Sequence, residues 1–524
     1  MRNLRILALV VAVAFLLAIG RLVRLENGGP AHNDIELPGG EPATLYLPGA
    51  GNPFYQLFPK PVAERPAAIV LVHGFSADRQ IMSVLARRIT ENGYAVLAID
   101  VHGHGGNRNP FVNDFVAGGA IDHDIKQAVD FLRDYKFVDG TRIVVMGHSM
   151  GAGAVLDYST HDPALKGAVM ISGGWRMAGP ERPKNALFIF AQHDPKEAIQ
   201  DTSQAIAAHL ASVDKIELGK PYGNFQNGDA VEAVRIPGVD HVQIIYSPVA
   251  TTTIVKWLDS AFGATRTGPI DTADPRRAAT GVAMVLFLIL LVPLGRVVGS
   301  MAPMWELRPA GGEAWGGLAI VSAGLFIAMP LVALSPPLSF ISLLVGDVQT
   351  SAFAVAGLIL IASLTFTNNL DWFRVREGSK GVLFAAAIGF AAVYVANLPM
   401  AVTFHRLSFT PERLTVAIIA TLFTLPFWLV FELLLRRGAM VTSTLLSSLG
   451  RVAILLLMAI GVWLRMIPFV VMLILPSLAI LFVMIEIFAA SIYSVSRNLV
   501  LIAIVEAAWF AWIMAATSPI TFMF

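Results

Sequence analysis

Arg142-Ile143-Val144-Val145-Met146, then Gly147-His148-Ser149-Met150-Gly151, then Ala152-Gly153-Ala154-Val155-Leu156 is the stretch that decides the fold. The first five residues form an apolar run that reads as a buried strand, and Ala152 onward reads as a helix with small residues at its start. A serine with a glycine two residues away on each side, between strand and helix, is the pattern of a nucleophile elbow. The turn is tight and holds the serine in a strained backbone conformation. Side chains at Gly147 and Gly151 would collide with the neighbouring helix and strand. The pattern predicts nucleophilic serine chemistry at the end of a sheet strand.

Outward from this stretch, composition divides the chain. It has 524 residues, 55% hydrophobic and only 14% charged, too long for one ordinary domain and less charged than a soluble protein of that size. The apolar excess is concentrated in roughly the first 25 residues and in everything after about residue 278, where runs reach the ~20 apolar residues a bilayer core needs. The net charge of +1 argues against nucleic acid as a partner. The chain has no cysteine, which excludes disulfides, thiolate catalysis and Cys-ligated metal.

Ile6 to Val23 is apolar behind Arg2 and Arg5 and is expected to be an uncleaved anchor, because Ala18-Ile19-Gly20 is followed at once by Arg21 and Arg24. Eight further apolar runs follow: Ala279–Arg296, Trp315–Leu334, Thr350–Phe366, Gly381–Ala401, Leu414–Leu435, Val452–Leu464, Phe469–Ile492 and Asn498–Thr517. With the anchor they make nine expected spans, Val452–Leu464 being the shortest, with a re-entrant stretch expected from Pro336-Pro337 to Gly346. Arg296 with Arg308, then Arg374, Arg376 and Lys380, then Arg436, Arg437 and Arg451, then Arg497 fall on alternate sides of successive spans. The Lys/Arg bias makes those loops cytoplasmic and puts the domain between anchor and spans outside. Glu486 and Glu506 sit within apolar runs; each is read either as a functional intramembrane carboxyl, or as a protonated Glu in a helix–helix hydrogen bond or a carboxyl reaching the interface. Glu432, one turn from Arg436, is read as a local interfacial pair.

Between the apolar parts, strands alternate with helices: Ala67–His73, Gln80–Asn92, Ala95–Asp100, Asp122–Asp134, the elbow strand and helix, Gly167–Ile171, Ala186–Phe190, Ser203–Ser212, Val231–Ile236 and Ala250–Phe262. This predicts a doubly wound, mostly parallel sheet. Residues from about 42 to 263 resemble the α/β-hydrolase fold, near its dienelactone-hydrolase-like and serine-peptidase-like branches. The resemblance rests on His73-Gly74-Phe75, the Asp100–Gly105 turn, the elbow, and the acid and histidine that follow it. The expected fold class is therefore an α/β-hydrolase domain plus an all-α polytopic transmembrane domain. The expected boundaries are anchor 1–25, hydrolase domain 26–266, linker 267–278 and multi-span domain 279–524.

A serine hydroxyl needs an adjacent base to act as a nucleophile at neutral pH. His241, in the loop after the last strand, lies at the carboxyl edge of the sheet where ligands bind in open α/β proteins; it is the expected base. His193 is its competitor. His73 and His148 are assigned a backbone role within their motifs. Asp194, just beyond the strand Ala186–Phe190, is the expected acid that orients the imidazole; Asp240 competes, and Asp100 is read as a loop-fixing carboxylate. The resemblance implies an oxyanion hole from the backbone N–H groups of Phe75 and Met150. His102-Gly103-His104-Gly105 is read as a tight turn rather than a metal site, so neither metal nor cofactor is expected. Dienelactone hydrolases carry a cysteine nucleophile where this chain has Ser149, a departure from that reaction. Tyr222 and Phe225 are read as packing residues, and no large cap is expected between residue 167 and Asp194. Together these readings predict a serine esterase or acyl hydrolase, with lipid-like acyl esters as substrates and membrane lipids around it. The alternatives are a transporter or scaffold with a hydrolase-like module, an acyltransferase, or a peptidase using the same triad.

Overall fold

The computed structural model describes residues 2–521 apart from 50–64, 113–118, 175–181, 306–313, 335–340, 342, 345, 368, 371, 437 and 468–469. One compact unit comprises Arg21–Thr280 with Ala401–Arg406, and the other Met1–Gly20, Gly281–Met400 and Leu407–Phe524.

The first unit is built on an eight-stranded sheet. Its strands are β1 (Ala31–Glu36), β2 (Pro42–Leu47), β3 (Ala68–Val72), β4 (Ala95–Ile99), β5 (Ile143–His148), β6 (Gly167–Ile171), β7 (Ala186–Ala191) and β8 (Val231–Ile236). They lie in the order β1-β2-β4-β3-β5-β6-β7-β8. β3 to β8 run parallel, and β1 and β2 are antiparallel additions at one edge. This is the α/β-hydrolase arrangement, with a sheet that is parallel where both faces are covered. The continuous apolar strands follow from that cover: every residue of β3, β4 and β6 is buried. β1 and β2 form a hairpin absent from the sequence reading. β1 (Ala-His-Asn-Asp-Ile-Glu) is polar and half of its residues are exposed, as suits an edge strand.

After the N-terminal helix α1 (Arg2–Asn27), helices α2 (Ser83–Glu91), α3 (Ala120–Asp134), α4 (Met150–Ser159), α5 (Thr202–Ala211) and α6 (Pro248–Phe262) connect and cover the strands. α3 buries Ile121, Ile125, Ala128, Val129 and Leu132 at helical spacing. Phe225 packs on the core and sets its ring edge-on to Trp257 at 5.8 Å, and Tyr222 pairs in a bridge with Val231. The segment expected to lack a cap lies partly outside the described residues. The strand order reverses around β3: β4 lies on one side of it and β5 on the other. The crevice at the carboxyl ends of such strands is where open α/β sheets place their ligands.

In the second unit and the termini that join it, eight helices among the described residues are long and apolar enough to cross a membrane: Ile6–Asn27, Pro275–Ser300, Trp315–Ala333, Gly346–Phe366, Pro411–Leu435, Met440–Trp463, Val470–Ser496 and Leu499–Thr517. Two expectations change. The run expected to begin at Val452 is the second half of a 24-residue helix, Met440–Trp463. The run Gly381–Ala401 contains a helix of only 16 residues, Val382–Asn397, short of the ~20 a span needs. The expected re-entrant stretch falls largely outside the described residues.

Arg451 is correspondingly not a loop residue. It lies in the helix Met440–Trp463 and is buried, as are Arg436, Glu432, Glu486 and Glu506. Arg436 donates to Glu486 through Nη1 (3.0 Å) and Nη2 (2.8 Å), and Arg451 Nη1 donates to Glu486 at 2.6 Å. Arg436 also pairs with Glu432, and Arg451 with Glu506. The pair Glu432–Arg436 is thus buried rather than at a surface. Glu486 and Glu506 are ion-paired across helices, not left as isolated carboxyls. Charges in an apolar interior persist when they are paired and hydrogen-bonded in this way.

Candidate active site

Ser149 stands between β5 and α4 with φ 54° and ψ −116°, a conformation that costs energy in a residue with a side chain and persists only where the surroundings enforce it. Enforcement is steric and polar together. A Cβ on Gly147 would lie 2.1 Å from the Gly151 carbonyl oxygen, and one on Gly151 would lie 2.5 Å from the His73 carbonyl oxygen. The Ser149 N–H donates to Ile171 O at 2.8 Å, pinning the turn to β6.

The chain brings the three expected side chains together from three loops at the carboxyl edge of the sheet. His241 Nε2 lies 2.9 Å from Ser149 Oγ, and His241 Nδ1 lies 2.7 Å from Asp194 Oδ1. An ionised carboxylate only accepts, so Nδ1 carries the proton and donates to Asp194. Nε2 then presents its lone pair to the serine hydroxyl. All three side chains are buried. The competitors are placed elsewhere. Asp240 Oδ1 accepts from the N–H groups of Val242 (3.0 Å) and Gln243 (2.8 Å) and caps its own turn. His193 is exposed. Asp100 fixes loops: it accepts from the N–H groups of Arg79 (2.8 Å) and Gly106 (2.7 Å) and pairs with the Arg79 guanidinium.

Several residues of this site carried no signal in the sequence. Asp194 Oδ2 accepts from Ser172 Oγ–H at 2.6 Å and from Ala191 N–H at 2.7 Å. With His241 on the other oxygen, the carboxylate is held in one orientation. His148 was assigned a backbone role, but its side chain works: Nε2–H donates to the carbonyl of His241 at 2.8 Å, fixing the histidine loop. Burial, with His241 nearby, lowers the His148 pKa to about 3, so the ring is neutral. The same correction applies to His73. Its Nε2 accepts from Val101 N–H at 3.2 Å and its Nδ1–H donates to Gly74 O at 2.7 Å, tying the loops after β3 and β4 together. Burial lowers its pKa also, which keeps the accepting nitrogen free of a proton.

Met150 is the first residue of α4, so its N–H has no carbonyl one turn back in the helix and points out of the N-terminus, where the helix dipole favours negative charge. Phe75 lies in the turn after β3, beside Ser76 with φ 54°. This turn runs directly against the nucleophile: a Cβ on Gly74 would be 3.0 Å from Ser149 Cβ. Asp78 anchors the far side of the turn. Its Oδ1 accepts from Gln80 N–H (2.9 Å) and its Oδ2 lies 3.0 Å from His405 Nδ1, in the Ala401–Arg406 segment of the same unit. Burial alone would raise the Asp78 pKa, but His405 outweighs it and holds the carboxyl well below the usual range. The Phe75 ring meets His104 (5.8 Å) and Phe111 (6.0 Å) edge-on, an apolar wall beside the serine turn.

Residues 63–212 match the family model described as Serine aminopeptidase, S33. Cutinase est1 of Thermobifida alba is 27% identical over 129 residues, covering 25% of this chain and 38% of that protein. A monoacylglycerol lipase of Mycolicibacterium smegmatis is 27% identical over 121 residues, covering 22% of this chain and 39% of that protein. The chain therefore spans well under half the length of these curated relatives. A putative dienelactone hydrolase from Klebsiella pneumoniae superposes with a TM-score of 0.31 at 16% identity, covering 43% of this chain and 97% of that one. A thermophilic esterase from Thermogutta terrifontis gives 0.31 at 14% identity, covering 44% and 99%. Residues 63–212 are thus similar in sequence to serine hydrolases.

Proposed function

We propose that the protein is a membrane-embedded serine hydrolase that cleaves carboxylic esters, with lipid-like acyl esters as its substrates. The observation that carries this reading is the continuous chain Ser149 Oγ, His241 Nε2, His241 Nδ1, Asp194 Oδ1, with steps of 2.9 and 2.7 Å. In the proposed reaction Ser149 Oγ attacks the ester carbonyl while its proton passes to His241 Nε2. Asp194 stabilises the imidazolium so formed and keeps the ring oriented. The oxyanion of the tetrahedral intermediate is met by the N–H groups of Phe75 and Met150, a type of contact worth about 3 kcal/mol for one donor. The intermediate collapses, the alcohol leaves with the proton from His241, and an acyl-Ser149 ester remains. Water then attacks this ester with His241 as base, releasing the acid and restoring the hydroxyl.

Ester substrates are supported by the names of the relatives, cutinases and a monoacylglycerol lipase. A membrane setting is supported by the eight long apolar helices and agrees with lipid-like substrates. We place the hydrolase domain on the extracytoplasmic face. That reading rests on the Lys/Arg bias of the loops, carried by Arg374, Arg376 and Lys380, which three long apolar helices separate from the hydrolase domain; with Val382–Asn397 too short for a span, Arg497 falls on the domain's own side and weighs against it. A topology reporter fused after Thr267 tests it; a cytoplasmic signal overturns it. The catalytic reading is tested with the detergent-solubilised chain and esters of graded acyl length. Turnover with an optimum at medium or long chains, lost in Ser149→Ala, is expected. Equal turnover by Ser149→Ala refutes the mechanism.

A further inference from the structure

We propose that Glu41, His123 and Asp124 form a binding site for one divalent transition-metal ion, with zinc the best fit. This departs from the expectation of no metal, and it concerns residues outside the Ser149–His241–Asp194 constellation. Glu41 lies in the turn between β1 and β2, a turn closed by Gly40 N–H to Leu37 O (2.8 Å) and Leu37 N–H to Glu41 O (2.9 Å). The residue is 0% exposed, yet neither carboxylate oxygen accepts a hydrogen bond among the described residues. Buried carboxylates are ordinarily paired, hydrogen-bonded or bound to metal. The nearest candidate partner is His123 Nδ1, 3.6 Å from Glu41 Oε1, too far for a hydrogen bond.

A second buried carboxylate stands beside the first. Asp124, in the first turns of α3, is also fully buried. Two adjacent acidic groups thus share a dry site, and a dication neutralises both. One ligand atom from each of Glu41, His123 and Asp124 lies within 4.8 Å of the others. A tetrahedral zinc with bonds of 2.0–2.1 Å needs ligand atoms about 3.4 Å apart, a closure within reach of side-chain rotation. His123 has the freedom to make it, its side chain being 53% exposed. That exposure also leaves the fourth position to water.

Donor chemistry selects the metal. Calcium and magnesium take oxygen ligands, whereas an imidazole nitrogen with two carboxylates suits zinc and its neighbours. The outer partners are in place as well. His102 donates to Asp124 from its backbone N–H (2.8 Å) and from ring Nδ1 (2.7 Å), orienting that carboxylate. The Gln127 amide lies 3.3 Å from His123 Nε2; with its oxygen turned inward it accepts the Nε2–H of a ring bound through Nδ1, the usual outer contact of a ligating histidine. The ion joins the β1–β2 turn to α3 and, through Asp124 and His102, to the loop after β4.

The test uses the full chain without a histidine tag, in detergent, stripped with chelator and titrated with zinc chloride, bound metal being counted by mass spectrometry. Wild type is expected to retain one zinc more than Glu41→Gln and one more than His123→Ala. Zinc is expected to raise the melting temperature of wild type by several degrees and that of neither variant. His161→Ala, at an exposed histidine paired with Asp122 (3.0 Å), is expected to keep the full count. Equal zinc in wild type and His123→Ala overturns the proposal, and that variant decides the matter even if Glu41→Gln does not fold. Equal retention of calcium from calcium chloride overturns the choice of metal.

Discussion

Replacing Asp194 by Asn tests how the histidine is held. In the native site Oδ2 faces two donors, Ser172 Oγ–H at 2.6 Å and Ala191 N–H at 2.7 Å, and Oδ1 faces His241 at 2.7 Å. An asparagine keeps its carbonyl oxygen toward Ala191, because the reverse orientation sets the amide NH2 against a buried N–H and leaves that donor unpaired, at about 1–3 kcal/mol. The NH2 group then points at His241 Nδ1 and forces the tautomer with the proton on Nε2. In that tautomer Nε2 has no lone pair for the Ser149 proton. The expected loss in kcat/KM is roughly 10⁴-fold, about 5.5 kcal/mol of transition-state stabilisation, as for other serine hydrolases whose buried acid becomes the amide. The assay is hydrolysis of a chromogenic acyl ester by the detergent-solubilised chain, with Asp240→Asn alongside and expected near wild type. A loss under tenfold in Asp194→Asn, or a larger loss in Asp240→Asn, refutes the assignment of the acid.

Three further outcomes are expected. His148 has a folded-state pKa of about 3 against an ordinary value of 6.5, so below pH 6.5 the unfolded chain takes up a proton the folded one does not. Stability falls as pH drops from 6.5 toward 3, by about 1.4 kcal/mol per unit. His148→Gln is expected to flatten the melting temperature over that window, and an unchanged slope counts against the buried neutral ring. Gly147→Ala puts a methyl 2.1 Å from the Gly151 carbonyl oxygen; backbone on both sides cannot yield, and a stability loss of about 3 kcal/mol with loss of esterase activity is expected. Arg451→Met leaves Glu506 without its guanidinium and Glu486 with one fewer. Removing one partner from a buried ion-pair group costs about 3–5 kcal/mol, read as a lowered melting temperature in detergent; an unchanged value refutes the network.

The elbow was legible because its requirements are local: two glycines, a strand and a helix within a few residues. Asp194 and His241 were legible because strand ends in a parallel sheet fall on one edge, so loop position substitutes for spatial knowledge. Ser172 was not, since its contact with Asp194 spans 22 residues and a serine after a strand has no distinguishing pattern. The side-chain roles of His148 and His73 were hidden for a similar reason: each sits inside a motif whose backbone already accounts for it. The β1–β2 hairpin escaped because β1, Ala-His-Asn-Asp-Ile-Glu, is too polar to alternate. Arg451 was misread as a loop marker because a charge in an apolar run reads as its end. Its partners Glu486 and Glu506 are 35 and 55 residues away, and a helix of 24 residues runs through it.

The most direct test of the central claim is covalent: the solubilised chain is treated with a fluorophosphonate and the modified peptide is identified by mass spectrometry. A single adduct on Ser149, absent from Ser149→Ala and strongly slowed in His241→Ala, is the result expected of a serine activated by the histidine 2.9 Å away. An unmodified Ser149 in folded protein, or labelling that persists in Ser149→Ala, contradicts the account.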